Sequence, residues 1–312
     1  ARLKPSTSGD AVGVIVAQGS ISDGQAGPGS IGGLSTAELI RQARDDKAIK
    51  ALVLRVNSPG GSAFGSELVR RELALTRQAG KPIVVSMGDV AASGGYWISM
   101  AADQIMADAG TITGSIGVVG VLPTAEGAMD KLGVRTGGAT TTWLAGAYDV
   151  RRALDPRFEQ LVQSAINHVY GDFTQMVAKA RKSTPEKIHE IAQGRVWSGQ
   201  QALEIGLIDR LGSLGDAVAA AAKLGKLEAT ARVHYVEAEP GRLQMWMQRF
   251  GVSVPGVQDL ATPQAEVQGA LVAMGLGLPA ATGVLPDLAW LGDLAARRQP
   301  FAATVHCLCT PP

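Results

Sequence analysis

The residue types best suited to chemistry lie in three clusters of small residues, each of which follows an apolar run. The clusters are "NSPGGS" at 57–62, "AASGG" at 91–95 and "TITGSIGVVG" at 111–120. Ligands of open α/β sheets bind outside the carboxyl ends of the strands, so three such clusters predict one shared site at a sheet edge. The serine at the centre of the second cluster is the candidate nucleophile.

Ser93 has Ala91 two positions before it and Gly95 two positions after it, which matches the G-x-S-x-G nucleophile elbow with one alanine replacement. Small flanking residues let a peptide backbone approach the hydroxyl. If a helix begins near Ser93, the N–H of Gly94 points to where a tetrahedral oxyanion forms. A second donor is expected from the Gly60-Gly61 pair, because glycine permits unusual φ angles and close approach.

The same small residues also fit a purely structural role. An Ala-Ala-Ser-Gly-Gly stretch can simply let a helix cross close to a neighbouring element. For Asn57, Ser58 and Ser62, turn and helix-cap roles are the preferred interpretation, because these residue types are typical of both positions.

A serine nucleophile needs a general base, and the sequence offers no obvious one. None of the four histidines falls in a glycine-rich loop, so each is interpreted as a surface or helix-face residue. A lysine with a depressed pKa could serve, but Lys81 precedes a strand and Lys131 lies on a predicted surface helix. The histidines are His168, His189, His234 and His306.

Charge and cysteine content exclude several classes of function. The 29 Lys and Arg residues nearly balance 28 Asp and Glu residues, and they are scattered, which argues against a nucleic-acid partner. Cys307 and Cys309 are too few and too close for a disulfide framework or a four-ligand zinc site, so no metal or cofactor is predicted.

The uncharged stretch from Gly269 is broken by glycines and prolines, and fits a packed or membrane-surface segment better than a membrane span.

The hydrophobic pattern predicts an α/β fold with a mainly parallel sheet of repeated βαβ units and a helical extension. Strands are expected at 11–21, 51–56, 82–88, 103–108 and 115–121. Helices are expected at 35–46, with a Ser35/Glu38 capping box, and at 65–80, 155–182 and 183–194, with two short helices around Gly206.

Three parts are predicted: a catalytic core at 1–134, helical and closing α/β elements at 135–239, and a weakly patterned tail at 240–312. The helices at 155–182 and 183–194 are interpreted as a lid or an oligomerisation arm.

Four motifs in one order then carry a resemblance to a known family. The stretches "VLRVNSPGGS", "KPIVVSMGDVAASGGYWISMAAD", "TITGSIGVVG" and "RVWSGQQALEIGLID" resemble the SppA-type signal peptide peptidases. This family consists of serine-lysine proteases with a ClpP/crotonase-like fold. The similarity runs from near Ala1 to about Lys226, and it is strongest to the C-terminal half of the long, two-domain form.

The resemblance implies roles for individual residues. Ser93 stands at the catalytic serine, and Gly61 and Gly94 would supply the oxyanion N–H groups. The segment of Ser115, Ile116, Gly117, Val118 and Val119 would pair with an apolar peptide substrate as an added strand.

One departure from the family concerns the base. The family places a lysine in a Tyr-Lys-Ser-Ala type segment, whereas the matching stretch has Tyr148 followed by Asp149. Arg151 and Arg152 cannot replace it, because guanidinium stays protonated. In the long form the lysine comes from the N-terminal half, so we expect an outside lysine.

The resemblance also implies surroundings for the chain. It predicts a homo-oligomer, a tetramer or a larger ring, on the periplasmic side of a bacterial inner membrane. The chain begins at Ala1 rather than Met, so we expect a processed product or part of a longer polypeptide.

Two other functions stay open at this stage. A crotonase-type enzyme would use a similar pair of oxyanion donors on an acyl-CoA thioester, although Ser93 and "NSPGG" match the protease. A non-catalytic assembly half would keep the fold without the chemistry.

Overall fold

A computed structural model describes residues 9–27, 29–228, 231–237 and 304–306. The described residues up to Val236, together with Thr304–His306, belong to one compact unit. Most of the predicted tail lies outside the described residues, including Cys307, Cys309 and the stretch from Gly269. The three-part division of the chain stays a prediction.

The strands of the described residues are β1 Ala11–Gln18, β2 Ile21–Ser22, β3 Ile31–Gly32, β4 Ile49–Ser58, β5 Gly60–Ser62, β6 Ile83–Ala92, β7 Gln104–Ala107, β8 Ile112–Gly114, β9 Val196–Ser198, β10 Arg210–Leu211, β11 Arg232–Tyr235 and β12 Thr304–His306. The helices are α1 Gly33–Asp45, α2 Ala63–Gln78, α3 Gly94–Ser99, α4 Glu126–Lys131, α5 Pro156–Ala180, α6 Pro185–Ile191, α7 Gly199–Glu204 and α8 Leu214–Leu224, with a 3-10 turn at Leu144–Gly146.

The main sheet has the order β10-β7-β6-β4-β1-β11, and every pair along this path is parallel. β8 adds to the end of β6 in parallel, and β9 pairs with β8 antiparallel. A smaller sheet has the order β12-β5-β2-β3, in which only the β12–β5 pair is antiparallel. The predicted α/β class with a mainly parallel sheet is therefore confirmed.

Both faces of the main sheet are covered, as parallel sheets require. Alternate residues of β4 show this directly: Ala51 and Val53 pack toward α8, while Leu52 and Leu54 point into the larger core on the other face. The two-residue period of a strand thus divides one apolar run between two cores. The sheet is held rigidly between helices, so the ends of its strands are fixed points.

The second half of α5 is anchored behind the candidate site. Phe173 and Val177 are fully buried, and the Phe173 ring lies 4.7 Å from the Trp97 ring of α3, centroid to centroid. Most residues in the first half of α5 are exposed or half-buried, Phe158 being buried. None of the helices in the described part of the chain is long and apolar enough to span a bilayer.

Two local predictions are wrong. The expected strand from Ser115 does not form, because Gly114 and Ser115 have φ angles of 79° and 48°, which turn the chain out of the extended conformation. The strand in this region is β8, just before that turn. The expected capping box fails because α1 begins at Gly33, and the Ser35 hydroxyl instead donates to the Gly32 carbonyl and accepts from the Ala26 N–H.

We predict that Tyr96→Phe lowers the free energy of unfolding by about 1–3 kcal/mol, because a buried carbonyl loses its donor. The Tyr96 hydroxyl donates to the Leu207 carbonyl at 2.7 Å, in a fully buried position that ties α3 to the segment after α7. Tyr170→Phe is the matched control, since the Tyr170 hydroxyl meets His189 at the surface. Urea unfolding followed by tryptophan fluorescence measures both variants, and equal losses would contradict the assignment.

Candidate active site

The three small-residue clusters meet at one edge of the sheet. Ser58 at the end of β4 lies opposite Ala91, and Ala92 at the end of β6 lies opposite Gly114 at the end of β8. All three strands run in parallel, so their carboxyl ends converge there. The expectation of a shared edge is confirmed, and Ser93 lies at its centre.

Ser93 has a backbone conformation that non-glycine residues rarely adopt, with φ 54° and ψ −116°. Two hydrogen bonds of 2.9 Å hold it: its N–H donates to the Gly114 carbonyl, and its carbonyl accepts from the Trp97 N–H. Such a conformation costs on the order of 1–3 kcal/mol and persists where the surroundings enforce it. This is the sharp strand-to-helix turn of a nucleophile elbow.

The Ser93 hydroxyl makes none of the hydrogen bonds with the described residues that a structural serine would make. Ser93 is only 1% exposed and occupies the N-cap position of α3, yet its hydroxyl accepts no capping hydrogen bond. Oγ has no hydrogen-bond partner among the described residues. Buried hydroxyls are normally paired, so the Ser93 hydroxyl is an exception among the described residues.

The two predicted oxyanion donors lie side by side next to Ser93. A Cβ added to Gly94 would lie 3.2 Å from the Gly61 nitrogen and 2.7 Å from the Ser66 hydroxyl. Gly61 has φ 147°, and a Cβ there would lie 2.2 Å from the Ile21 carbonyl oxygen. Both positions exclude any larger residue, so the backbones of α3 and β5 lie in direct contact beside Ser93.

The small flanking residues also serve packing. A Cβ on Gly95 would lie 2.7 Å from the Ser58 carbonyl oxygen, so this glycine lets α3 lie directly against the end of β4. Ala91 is fully buried within the sheet. Gly95 and Ala91 therefore fit the close-packing interpretation, while the nucleophile interpretation concerns Ser93.

The preferred turn and cap roles in the first cluster are confirmed for Ser58 and Ser62, whereas Asn57 lies within β4 and its side chain joins that strand to β6. Asn57 Oδ1 accepts from the Val90 N–H at 3.1 Å, and Ser58 Oγ accepts from the Gly60 N–H at 3.1 Å. Ser62 caps α2 by accepting from the Gly65 N–H at 3.0 Å. These bonds fix both ends of β5, the strand that carries Gly61.

The predicted substrate segment, 115–119, begins directly after Gly114, whose carbonyl accepts from the Ser93 N–H. The Ser115 N–H donates to the Arg195 carbonyl, and the Ile116 carbonyl accepts from the Gly194 N–H, so one edge of its start is already paired. Burial falls along the segment, from Ile116, which is fully buried, through half-buried Gly117 and Val118 to exposed Val119. A substrate role for these residues stays a prediction.

The groups near the expected base position are unsuited to proton removal. The Asp149 carboxylate is held by Arg151, whose hydrogen bonds lower the pKa of Asp149 to about 2. The Tyr148 ring stacks on Phe158 at 5.7 Å between centroids. Because its pKa is so low, the Asp149 carboxylate is too weak a base to replace the lysine that the resemblance leads us to expect.

Lys81 lies at the wrong end of its strand. It precedes β6, whereas Ser93 follows it, and ten strand residues span roughly 33 Å at about 3.3 Å each. Burial lowers the pKa of Lys81, but its ammonium donates to the Ala43 and Asp46 carbonyls. This lysine ties α1 to the sheet.

The described histidine side chains lie at the surface, as expected. His168 lies 3.5 Å from the Asp172 carboxylate, and His189 Nδ1 lies 2.8 Å from the Tyr170 hydroxyl. His234 is exposed on β11. His306 belongs to β12, whose backbone pairs with β5, and its register partner is Gly60.

Sequence reasoning missed two neighbours of β5. The first is β12, which pairs with β5 although it lies far along the weakly patterned tail of the sequence. The second is Asp23, whose carboxylate accepts a hydrogen bond from the Ser62 hydroxyl. The only sequence signal for Asp23 is its place in the glycine-rich stretch "GSISDGQAGPGS" at 19–30, which is typical of a turn.

Comparisons with known proteins support this geometry. Residues 75–228 match the family model described as peptidase family S49. The chain is 49% identical over 250 residues to "Protease 4" of Salmonella typhi, a match that covers 80% of this chain and 40% of that protein. It is 33% identical to "Putative signal peptide peptidase SppA" of Enterococcus faecium over 67% of this chain and 60% of that protein.

The chain therefore matches less than two thirds of the length of either relative. Among solved structures, it is similar to a mutant form of ClpP1 from Listeria monocytogenes, with a TM-score of 0.42 and 12% identity. That similarity covers 66% of this chain and 94% of that one.

We predict that Ser93→Gly is more stable than Ser93→Ala by about 1 kcal/mol, because glycine adopts positive φ without the steric penalty that alanine meets. At Ser86, inside β6, the order should reverse, since glycine in an ordinary strand is less stable than alanine. Urea unfolding of the four variants measures both differences. A Ser93→Ala variant at least as stable as Ser93→Gly would show that the turn is not strained.

Proposed function

Since this chain carries an SppA-type domain of peptidase family S49, we propose that it is a serine endopeptidase module that cleaves apolar peptides through Ser93. The substrates that fit this proposal best are cleaved signal peptides, by resemblance to the relatives with that name. The ClpP/crotonase-like fold that the resemblance implied is part of this proposal. The match of residues 75–228 to a peptidase family favours a peptide over an acyl-CoA thioester as the substrate.

One observation carries the proposal: a buried hydroxyl with no hydrogen-bond partner among the described residues, on a strained turn beside two glycines whose positions admit no larger residue. A structural serine would use its hydroxyl as a cap or a core hydrogen bond. Ser93 does neither, although the helix N-terminus is adjacent to it. Strain and an unsatisfied polar group together are typical of functional sites.

The proposed reaction has two steps. A base removes the Ser93 proton as Oγ attacks the peptide carbonyl carbon, and the resulting oxyanion accepts hydrogen bonds from the Gly61 and Gly94 N–H groups. The carbon–nitrogen bond then breaks, the amine leaves with the proton, and an ester on Ser93 remains. Water, deprotonated by the same base, attacks the ester and releases the acid, which restores the hydroxyl.

The base in this proposal is a lysine from another chain or from an N-terminal half. The unpaired Oγ of Ser93 supports an outside group, as does the aspartate at position 149. Burial against Ser93 would lower the pKa of the incoming lysine, because a low-dielectric site disfavours the ammonium form. Activity should consequently rise with pH as that lysine loses its proton.

The proposed assembly is a homo-oligomer, a tetramer or a larger ring, on the periplasmic side of a bacterial inner membrane and in contact with the membrane surface. Support comes from exposed apolar side chains between β8 and the middle of α5, which suit burial against another chain. These are Val119, Val121, Leu132, Val134, Trp143, Leu144, Val150 and Leu161. The same region ends in the exposed half of α5, which was interpreted as a lid or an oligomerisation arm.

We predict that the purified chain hydrolyses an apolar peptide ester only when it is assembled with a lysine-bearing half. Ser93→Ala in that assembly should lower kcat by at least about 10³-fold, since the nucleophile is removed. Robust Ser93-dependent hydrolysis by the chain alone would refute the proposal that the general base comes from outside this chain. Stable assembly with no cleavage would favour a non-catalytic half.

We further predict that Gly94→Ala lowers kcat in the assembly by about 10²-fold or more, because its Cβ would displace the oxyanion donors. Gly110→Ala is the matched control, since nothing lies within 4 Å of a Cβ there. Initial rates at saturating ester, with circular dichroism to verify folding, measure both variants. Equal rates for the two would exclude Gly94 from the oxyanion site.

A further inference from the structure

The strand that carries Gly61 is fixed by hydroxyl groups at both ends. Ser58 Oγ accepts from the Gly60 N–H, and the Ser66 hydroxyl donates to the Ser62 carbonyl at 2.7 Å. Gly61 itself, between them, has no side chain to anchor it. Its backbone is held by the register with Ile21 of β2 and Val305 of β12 and by the next residue, Ser62, so the direction of its N–H depends in part on where Ser62 is held.

The Ser62 hydroxyl is fully committed. It accepts from the Gly65 N–H at the start of α2, and its single proton goes to Asp23 Oδ1. Ser62 is 1% exposed, so water does not compete for this hydrogen bond. Asp23 thus determines the hydroxyl orientation, and through it the junction of β5 and α2.

Asp23 reaches β5 from the neighbouring strand. It directly follows β2, which pairs with β5 through Ile21 and Gly61. The next residue, Gly24, accepts from the Leu34 N–H at 3.1 Å, so the turn that bears the half-buried carboxylate is tied to α1.

Backbone packing leaves this junction little freedom. A Cβ on Gly33 would lie 2.7 Å from the Gly65 Cα and 2.9 Å from the Asp23 carbonyl oxygen. The first turns of α1 and α2 and the turn at Asp23 are in direct backbone contact. Because there is no space between these elements, we expect a shift of the turn at Asp23 to move the junction of β5 and α2 as well.

We propose that Asp23 is a positioning residue for the oxyanion site, acting through the Ser62 hydroxyl to aim the Gly61 N–H. This inference rests on the proposed function. Asp23 touches neither the nucleophile nor the substrate carbonyl in this scheme. Its contribution is the alignment of one donor, and a displacement of about 1 Å in such a group can cost on the order of 10²-fold in rate.

The kinetic test compares Asp23→Ala, Asp23→Asn and Asp216→Ala in the lysine-bearing assembly. Asp23→Ala should lower kcat by about 10-fold or more with KM within about twofold, because donor alignment matters most in the transition state. Asp23→Asn should stay within about threefold of wild type, since its amide oxygen still accepts from Ser62. Asp216 is the control, because its carboxylate also accepts from an N-cap serine, Ser213 at α8.

An unchanged kcat in Asp23→Ala, or equal losses in the alanine and asparagine variants, would overturn the inference. So would a loss in Asp216→Ala as large as that in Asp23→Ala. Absence of Ser93-dependent turnover in the wild-type assembly would instead refute the proposed function.

Hydrogen–deuterium exchange on the chain alone decides the structural part without any activity. Asp23→Ala should raise exchange at Gly61–Gly65 while protection of β4 and β6 stays as in wild type. Unchanged exchange at 61–65 would overturn the role of Asp23.

Discussion

The arrangement of this molecule depends on the backbone turn at Ser93. A strand in the centre of a parallel sheet ends there, a short helix begins, and the residue between them has φ 54° and ψ −116°. The Gly114 carbonyl and the Trp97 N–H hold that conformation from two elements. Because β6 is buried almost throughout, the turn that follows it is attached to a well-packed strand.

Glycines around this turn exclude side chains from the surroundings of the hydroxyl. Gly94 and Gly95 let α3 lie against Gly61 and Ser58, and Gly61 lies directly against Ile21. The result is close packing of glycine backbone around Ser93, with no room for a larger residue. In the proposed reaction the Gly61 and Gly94 N–H groups are preorganised donors, and electrostatic stabilisation by such donors is usually the largest single contribution to catalysis of acyl transfer.

The shared sheet edge around Ser93 could be predicted from sequence, since small residues after apolar strands are a local pattern. The prediction of a strand from Ser115 was wrong because the amino-acid sequence gives no sign that this serine adopts a positive φ angle. The cap expected at Ser35 was wrong because α1 begins two residues earlier, and Ser35 binds the turn before it. The Ser62–Asp23 bond joins residues 39 positions apart, and so depends on tertiary structure alone.

The most direct measurement is a crystal structure of the chain assembled with the proposed lysine-bearing half and a peptide boronate. The account predicts a bond from Ser93 Oγ to boron, with a boronate oxygen accepting from the Gly61 and Gly94 N–H groups. It also predicts a lysine Nζ from the other polypeptide within about 3.2 Å of Oγ. A boronate bound elsewhere, or a base contributed by this chain itself, would contradict it.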